Sequence, residues 1–248
     1  DNEKWIDCKF DLSFKLLKSK KTKTEYVYSV SKLLRKINEL SPGFANHGLN
    51  ISTTLEFKRN WGLGSSSTLI NNISNWLNIN PYELLKITFQ GSGYDIAVAN
   101  TKKSIFFQKK DDFNKITKTD FSPPFRDNLF FIHLNKKVNS QKEVIKFLNY
   151  KNEFKDDISR INYLGNMVVK EKNQETFNEM LKEHEEIISN IVSKKPIQKT
   201  LFKDFYGQIK SLGSWGGDFI LASGDNETPN YFSKKGFNTI IPFSEMKL

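Results

Sequence analysis

The amino-acid sequence predicts a mixed α and β fold in two domains, on three observations. Segments with alternating apolar positions trade places along the chain with segments of helical apolar spacing. A Ser122-Pro123-Pro124 break near the middle interrupts both patterns and marks a domain boundary. Three glycine-rich turns each stand at the edge of a predicted strand or helix. With 248 residues the chain can bury a large core.

Residues 5–17 alternate apolar positions (Ile6, Cys8, Phe10, Leu12, Phe14) and read as a strand. Residues 26–40 carry Tyr26, Val30, Leu33, Leu34 and Ile37 at helical spacing and stop before Ser41-Pro42-Gly43. Residues 49–57 alternate again (Leu49, Ile51, Thr53, Leu55, Phe57) and predict a strand leading into the first glycine turn. Helices follow over 65–77 and from Pro81 to Phe89, with proline suited to a first helical turn. After the second glycine turn, 104–108 and 128–134 read as strands. Beyond the proline break come 140–148 and a mostly helical stretch over 156–193, and 201–210 is ambiguous. The third glycine turn precedes a strand at 219–222; 229–235 is helical and 238–243 is a last strand. No internal repeat is visible.

Composition narrows the function classes. The aromatic content of 13%, with 21 Phe, is not that of a disordered chain. No apolar run reaches the ~18 residues of a membrane span, and the first residues lack a signal-peptide pattern. The single cysteine, Cys8, cannot form an internal disulfide, so a reducing cytoplasm is expected. Net charge is +10. The lysines are scattered and accompany abundant Asn, Ile and Phe, a joint bias of the kind an AT-rich genome produces. Nucleic-acid binding is therefore disfavoured, and an anionic small substrate suits the positive field equally well. His47, His133 and His184 have no partner at metal-ligand spacing, so zinc is not expected. The sequence leaves monomer and homodimer both open.

The first glycine turn, Trp61-Gly62-Leu63-Gly64-Ser65-Ser66-Ser67-Thr68, runs straight into an apolar helix. Glycine lets the backbone bend and approach a ligand that a side chain would exclude. The first N–H groups of a helix lack intrahelical partners, and its dipole favours an anion there, phosphate above all. Serine hydroxyls can cap the helix, bond a phosphate oxygen or reach magnesium. Taken alone, the motif also describes an ordinary serine-capped helix. The second turn is Gly91-Ser92-Gly93-Tyr94-Asp95-Ile96-Ala97, and the third is Gly213-Ser214-Trp215-Gly216-Gly217-Asp218.

Together, in this order and spacing, the three turns resemble those of the GHMP kinases. Residues 62–68 are similar to that family's phosphate loop, close to G-L-G-S-S-A-S. Residues 91–99 resemble the aspartate segment of mevalonate and phosphomevalonate kinases. The run Gly93-Tyr94-Asp95-Ile96-Ala97 is the one for which a bacterial subgroup (the GYDIA type) is nicknamed. Residues 213–222 resemble the third motif, close to G-A-G-G-G-D-x-x-x-A. The family's opening motif, near P-G-K-[LV]-x-L-x-G-E-[HY], does not occur in this chain, and with it go the lysine and glutamate it supplies. Trp215 stands where the family carries glycine, and an indole there is expected to crowd the substrate face or stack on something.

The resemblance implies an α+β, two-domain GHMP kinase fold. A ribosomal-protein-like N-terminal domain with a left-handed crossover is expected over 1–125, without its first strands and first motif. A ferredoxin-like C-terminal domain is expected over 126–248. The implied activity is ATP- and magnesium-dependent phosphoryl transfer to a small hydroxyl or phosphate acceptor in isoprenoid biosynthesis, with 5-phosphomevalonate favoured over mevalonate. Gly62, Leu63, Gly64, Ser65, Ser66, Ser67 and Thr68 would wrap the nucleotide's phosphates. Ser66 would offer its hydroxyl to magnesium. Glu83, the carboxylate of the preceding helix, is either the second magnesium ligand or a solvent-facing first-turn glutamate. Asp95 would accept or orient the acceptor's proton. Gly93, Tyr94, Lys136, Ser140, Gly213, Gly216 and Gly217 would line the substrate, although Lys136 also reads as ordinary surface. A second reading is a GHMP-fold nucleotide- or metabolite-binding regulatory protein that has lost catalysis.

Overall fold

A computed structural model describes residues 5–20, 23–88, 91–110, 113–136, 147, 154–213, 215 and 217–246. The chain divides into two units. Unit 1 comprises Asp1–Glu56, Gly64–Thr101 and Phe107–Lys115; unit 2 comprises Phe57–Leu63, Lys102–Phe106 and Ile116–Leu248.

Among the described residues, unit 1 is built on four helices: α1 (Thr24–Leu40), α2 (Ser65–Leu77), α3 (Pro81–Thr88) and α4 (Tyr94–Thr101). Each contributes an apolar stripe to one cluster, with Leu33 and Ile37 from α1, Ile70 from α2, Leu84 and Leu85 from α3, and Ile96 from α4. The helical spacing read in the sequence is the spacing that buries. Residues 5–17 are not one strand. They form a hairpin of β1 (Cys8–Phe10) and β2 (Leu16–Ser19), paired antiparallel. The break has a local cause: Asp11 Oδ1 accepts hydrogen bonds from Ser13 N (2.9 Å), Ser13 Oγ (2.6 Å) and Lys15 N (2.9 Å), which closes a turn. Phe14, at φ 60°, then dips into the interior, where its carbonyl accepts from Ser31 Oγ of α1 and its ring stacks on Phe44.

The strand expected over 49–57 does not form. Its alternation is present, but among the described residues no strand pairs with it, and Leu49 and Ile51 stay about half exposed. Alternation selects a face; only a partner supplies the ladder hydrogen bonds. A hairpin of β3 (Ile105–Lys109) and β4 (Asn114–Lys118) follows α4, and its second strand has no counterpart in the sequence reading.

Unit 2 carries a four-stranded antiparallel sheet in the order β6–β7–β5–β8, made of β5 (Leu129–His133), β6 (Gln208–Ser211), β7 (Phe219–Ser223) and β8 (Ile240–Pro242). Between β5 and β6 run α5 (Lys155–Val168), α6 (Gln174–Val192) and α7 (Ile197–Leu201). Between β7 and β8 runs α8 (Thr228–Lys234), and α9 (Phe243–Met246) closes the chain. This β-α-β-β-α-β connectivity and strand order is the ferredoxin-like arrangement. The stretch expected to be helical over 156–193 is two helices, the second opened by Asn173, whose side chain accepts from Thr176 N (3.0 Å). The stretch at 140–148 lies outside the described residues apart from Phe147. Alternate residues of β5 and β7 serve two clusters. Phe130, Ile132, Ile220 and Ala222 meet Phe202, Phe205 and Phe232; Leu129 and Leu221 meet Phe125, Phe177, Leu181 and Phe243.

Candidate functional site

In unit 1 the first two glycine motifs meet at the N-termini of α2 and α4. Gly64, at φ 76° and ψ 35°, is the N-cap of α2 and offers no side-chain cap. The first intrahelical bond joins Thr68 N to Gly64 O (3.0 Å), so the N–H groups of Ser65, Ser66 and Ser67 are not used by the helix itself. Ser66 is exposed, while Ser65 and Ser67 are half-buried. The Thr68 hydroxyl bonds back to Gly64 O (3.1 Å).

Asp95 lies on the first turn of α4, and its carboxylate lies where a methyl group added at Gly64 would come into ordinary contact with it. The Tyr94 and Ser67 hydroxyls are its hydrogen-bonding neighbours. Crowding by protein raises the Asp95 carboxyl above the usual carboxylate value, and those two hydrogen bonds partly offset the rise, although one side of the residue still faces solvent. The Tyr94 hydroxyl is pushed up to about 12, first by desolvation and then by the Asp95 charge. Gly93, buried and at φ 87°, leaves the room that the Tyr82 ring of α3 occupies, where a methyl group would collide with it. That packing fixes where the Tyr94-Asp95 pair emerges. Glu83 is exposed on the first turn of α3, where the helix dipole favours a carboxylate. Among the described residues, no three His, Cys, Asp or Glu side chains converge on a metal position. Magnesium asks for only one or two protein ligands, so the exposed Ser66 hydroxyl fits that role.

In unit 2 the start of the first motif meets the end of the third. A 3₁₀ turn at Arg59–Trp61 ends at Gly62 in the left-handed region (φ 69°). The Trp61 ring packs edge-on against Phe219 (5.8 Å between centroids) and tilts over His133 (6.3 Å). His133 and Phe219 are cross-strand partners of β5 and β7, their rings 5.0 Å apart. Asp218 abuts Gly62 so closely that a methyl group there would collide with its carboxylate. Its carbonyl accepts from Leu134 N (2.8 Å), extending the β5–β7 ladder. Leu63 is half-buried, Gly217 is buried and Gly213 is exposed at φ 58°. Lys136 is exposed just past β5. Ser140 and Gly216 lie outside the described residues.

Trp215 corrects an expectation. Its indole neither crowds an open face nor merely stacks; it is buried, 8% exposed, and donates Nε1–H to Glu185 Oε1 (3.1 Å). The same carboxylate accepts from Lys210 Nζ (2.9 Å) and Ser211 Oγ (2.7 Å). Glu185 escaped the sequence reading. The signal was present: on α6, Phe177, Leu181 and position 185 share one face at four-residue spacing, which places a carboxylate in an apolar stripe. His133, expected from the sequence to have no metal partner, packs among aromatic rings, and its buried Nε2 has no hydrogen-bond partner among the described residues.

No family model and no curated relative matches the chain. Solved structures do. A Lin0012 protein from Listeria innocua is 17% identical, over 92% of this chain and 78% of that one, with a TM-score of 0.56. The mevalonate kinase of Methanococcus jannaschii is 16% identical, over 88% and 74%, with a TM-score of 0.56. The L. major mevalonate kinase, solved in complex with R-mevalonate, is 12% identical, over 86% and 74%, with a TM-score of 0.51. At these identities the likeness is one of fold: this chain carries the mixed α and β fold of the mevalonate kinases, the GHMP kinase fold that its glycine motifs resemble.

Proposed function

We propose that this chain is an ATP- and magnesium-dependent small-molecule kinase that transfers the γ-phosphoryl group to a hydroxyl or phosphate acceptor, with 5-phosphomevalonate or mevalonate as that acceptor. The observation that carries the reading is the meeting of Asp95 with Gly64 and Ser67. Two motifs some thirty residues apart bring a partly desolvated carboxylate to a pair of helix N-termini. Phosphoryl transfer depends on positioning and charge neutralisation more than on covalent chemistry. The N–H groups of Ser65 to Ser67 would bind phosphate oxygens, and Asp95, its proton affinity raised, would orient the acceptor and, where that acceptor is a hydroxyl, take its proton. Magnesium, held by Ser66 and by Glu83 or water, would neutralise charge on the nucleotide.

One observation favours a second reading, a nucleotide- or metabolite-binding regulatory protein of the same fold. The Asp218 side chain packs on Gly62 and so crowds the start of the turn that would receive phosphates. The test is ADP release with ATP and magnesium against mevalonate, 5-phosphomevalonate, homoserine, galactose and a blank. Turnover with one acceptor supports the kinase and identifies its substrate. ATP binding with no ADP release from any acceptor would replace it with the regulatory reading.

A further inference from the structure

Trp215 occupies a backbone conformation that its side chain disfavours. Its φ is 61°, the left-handed region, where a bulky residue is an outlier. Such a conformation persists only when the surroundings determine it, and here they do. The indole is buried, its Nε1–H reaches Glu185 Oε1 at 3.1 Å, and its own amide donates to Leu212 O at 3.3 Å. Glu185 is held on α6 with its side chain 3% exposed, and it also accepts from two β6 side chains, Lys210 Nζ through Oε1 and Ser211 Oγ through Oε2. A donor to a buried, charged acceptor belongs to the stronger class of hydrogen bond.

We propose that Trp215 is a positioning residue that pins the turn between β6 and β7. Leu212, Gly213, Trp215 and Gly217 lie between those strands and lead to Asp218, the residue that packs on Gly62. The indole acts inward, away from any ligand, so that Gly213 and Gly217 keep their backbone N–H groups in one arrangement for an anionic substrate. This rests on the kinase reading for what the turn binds, but not for what holds the turn.

The experiment compares Trp215→Phe with Ser211→Ala. Each removes one donor from the same carboxylate, and only the first cuts the tie to the turn. Hydrogen exchange of the Gly213, Trp215, Gly217 and Asp218 amides is measured, with β7 as internal reference. In parallel, binding of 5-phosphomevalonate and of MgATP is measured by calorimetry, and KM and kcat where ADP is released. Trp215→Phe is expected to speed exchange at those four amides about tenfold or more, the equivalent of one lost charge-assisted hydrogen bond. It is also expected to weaken 5-phosphomevalonate through KM more than through kcat. Ser211→Ala should lower thermal stability comparably and leave both the exchange and the KM unchanged. Equal exchange in the two variants overturns the proposal, whatever the activity. If Trp215→Phe does not fold, Glu185→Gln, which keeps an acceptor but gives up its charge, should speed exchange at the same amides, and no change there overturns it. Absence of ADP release from the wild-type chain would count against the kinase reading and leave the exchange result to decide the role of Trp215.

Discussion

The Asp95 carboxyl is the residue on which the proposed chemistry turns, and its environment makes two effects separable. Desolvation raises its proton affinity in the folded state above that of an ordinary aspartate. Holding it ionised near neutral pH therefore opposes folding, and the opposition fades as pH falls and the proton binds. Asp95→Asn is expected to raise the melting temperature at pH 7 and to lose that gain at acid pH. The same change should reduce ADP release about a hundredfold or more, the usual scale for one well-placed catalytic group of about 2–4 kcal/mol. For the wild type, the acid limb of kcat/KM should lie above the ordinary carboxylate range, because the reactive form is the ionised one. Gly62 offers a second test. Its left-handed φ alone makes alanine cost about 1–2 kcal/mol there, and the added methyl group meets the Asp218 carboxylate. Gly62→Ala should destabilise by more than that conformational amount. The excess should disappear in the Gly62→Ala/Asp218→Gly double variant, measured as the coupling term of a denaturation cycle. The glycine pattern was legible in the sequence as a turn. Which carboxylate fills the space beside it was not, since residues 62 and 218 become neighbours only in the fold.

At the scale of elements, α6 is the most informative. It begins on an Asn173 cap and carries Phe177 and Leu181 into the core, and the same face holds Glu185 with its three donors. His184, one residue earlier, is lowered to about 4, first by desolvation and then by the Lys210 charge. In the unfolded chain it titrates near 6.5. The folded state thus binds fewer protons between those values, and its stability falls as pH drops from 6.5 towards 4. At about 1.4 kcal/mol per pH unit the loss reaches about 3 kcal/mol. Urea denaturation across pH 4–7 should show this slope, and His184→Gln should flatten it. The helices were legible because helical periodicity is a local property, and α1, α2 and α8 fall close to where the spacing puts them. Residues 49–57 show the opposite case: their alternation is sound, yet a strand also needs an edge to pair with. Residues 5–17 show a third, in which the Asp11 side chain turns an apolar alternation into a hairpin.

At the scale of the whole molecule, the net charge of +10 is spread along the chain rather than gathered on one element. Diffuse charge attracts polyanions weakly and is screened at physiological salt, where the Debye length is ~8 Å. The chain is expected to pass a heparin column at ~0.15 M salt and to be held only at much lower salt. Retention with a steep salt dependence would point to a nucleic-acid partner instead. Fold class, the order of most elements and the three glycine motifs were determined by the sequence by itself, because helical period, strand alternation and glycine's conformational freedom are all written within a few residues. The tertiary structure decided the rest. It brought Asp95 to Gly64 and Ser67, set Asp218 against Gly62, and turned Trp215 inward onto Glu185. Each of those meetings joins residues far apart in the chain, and no local pattern encodes a contact that exists only once the core has closed around it.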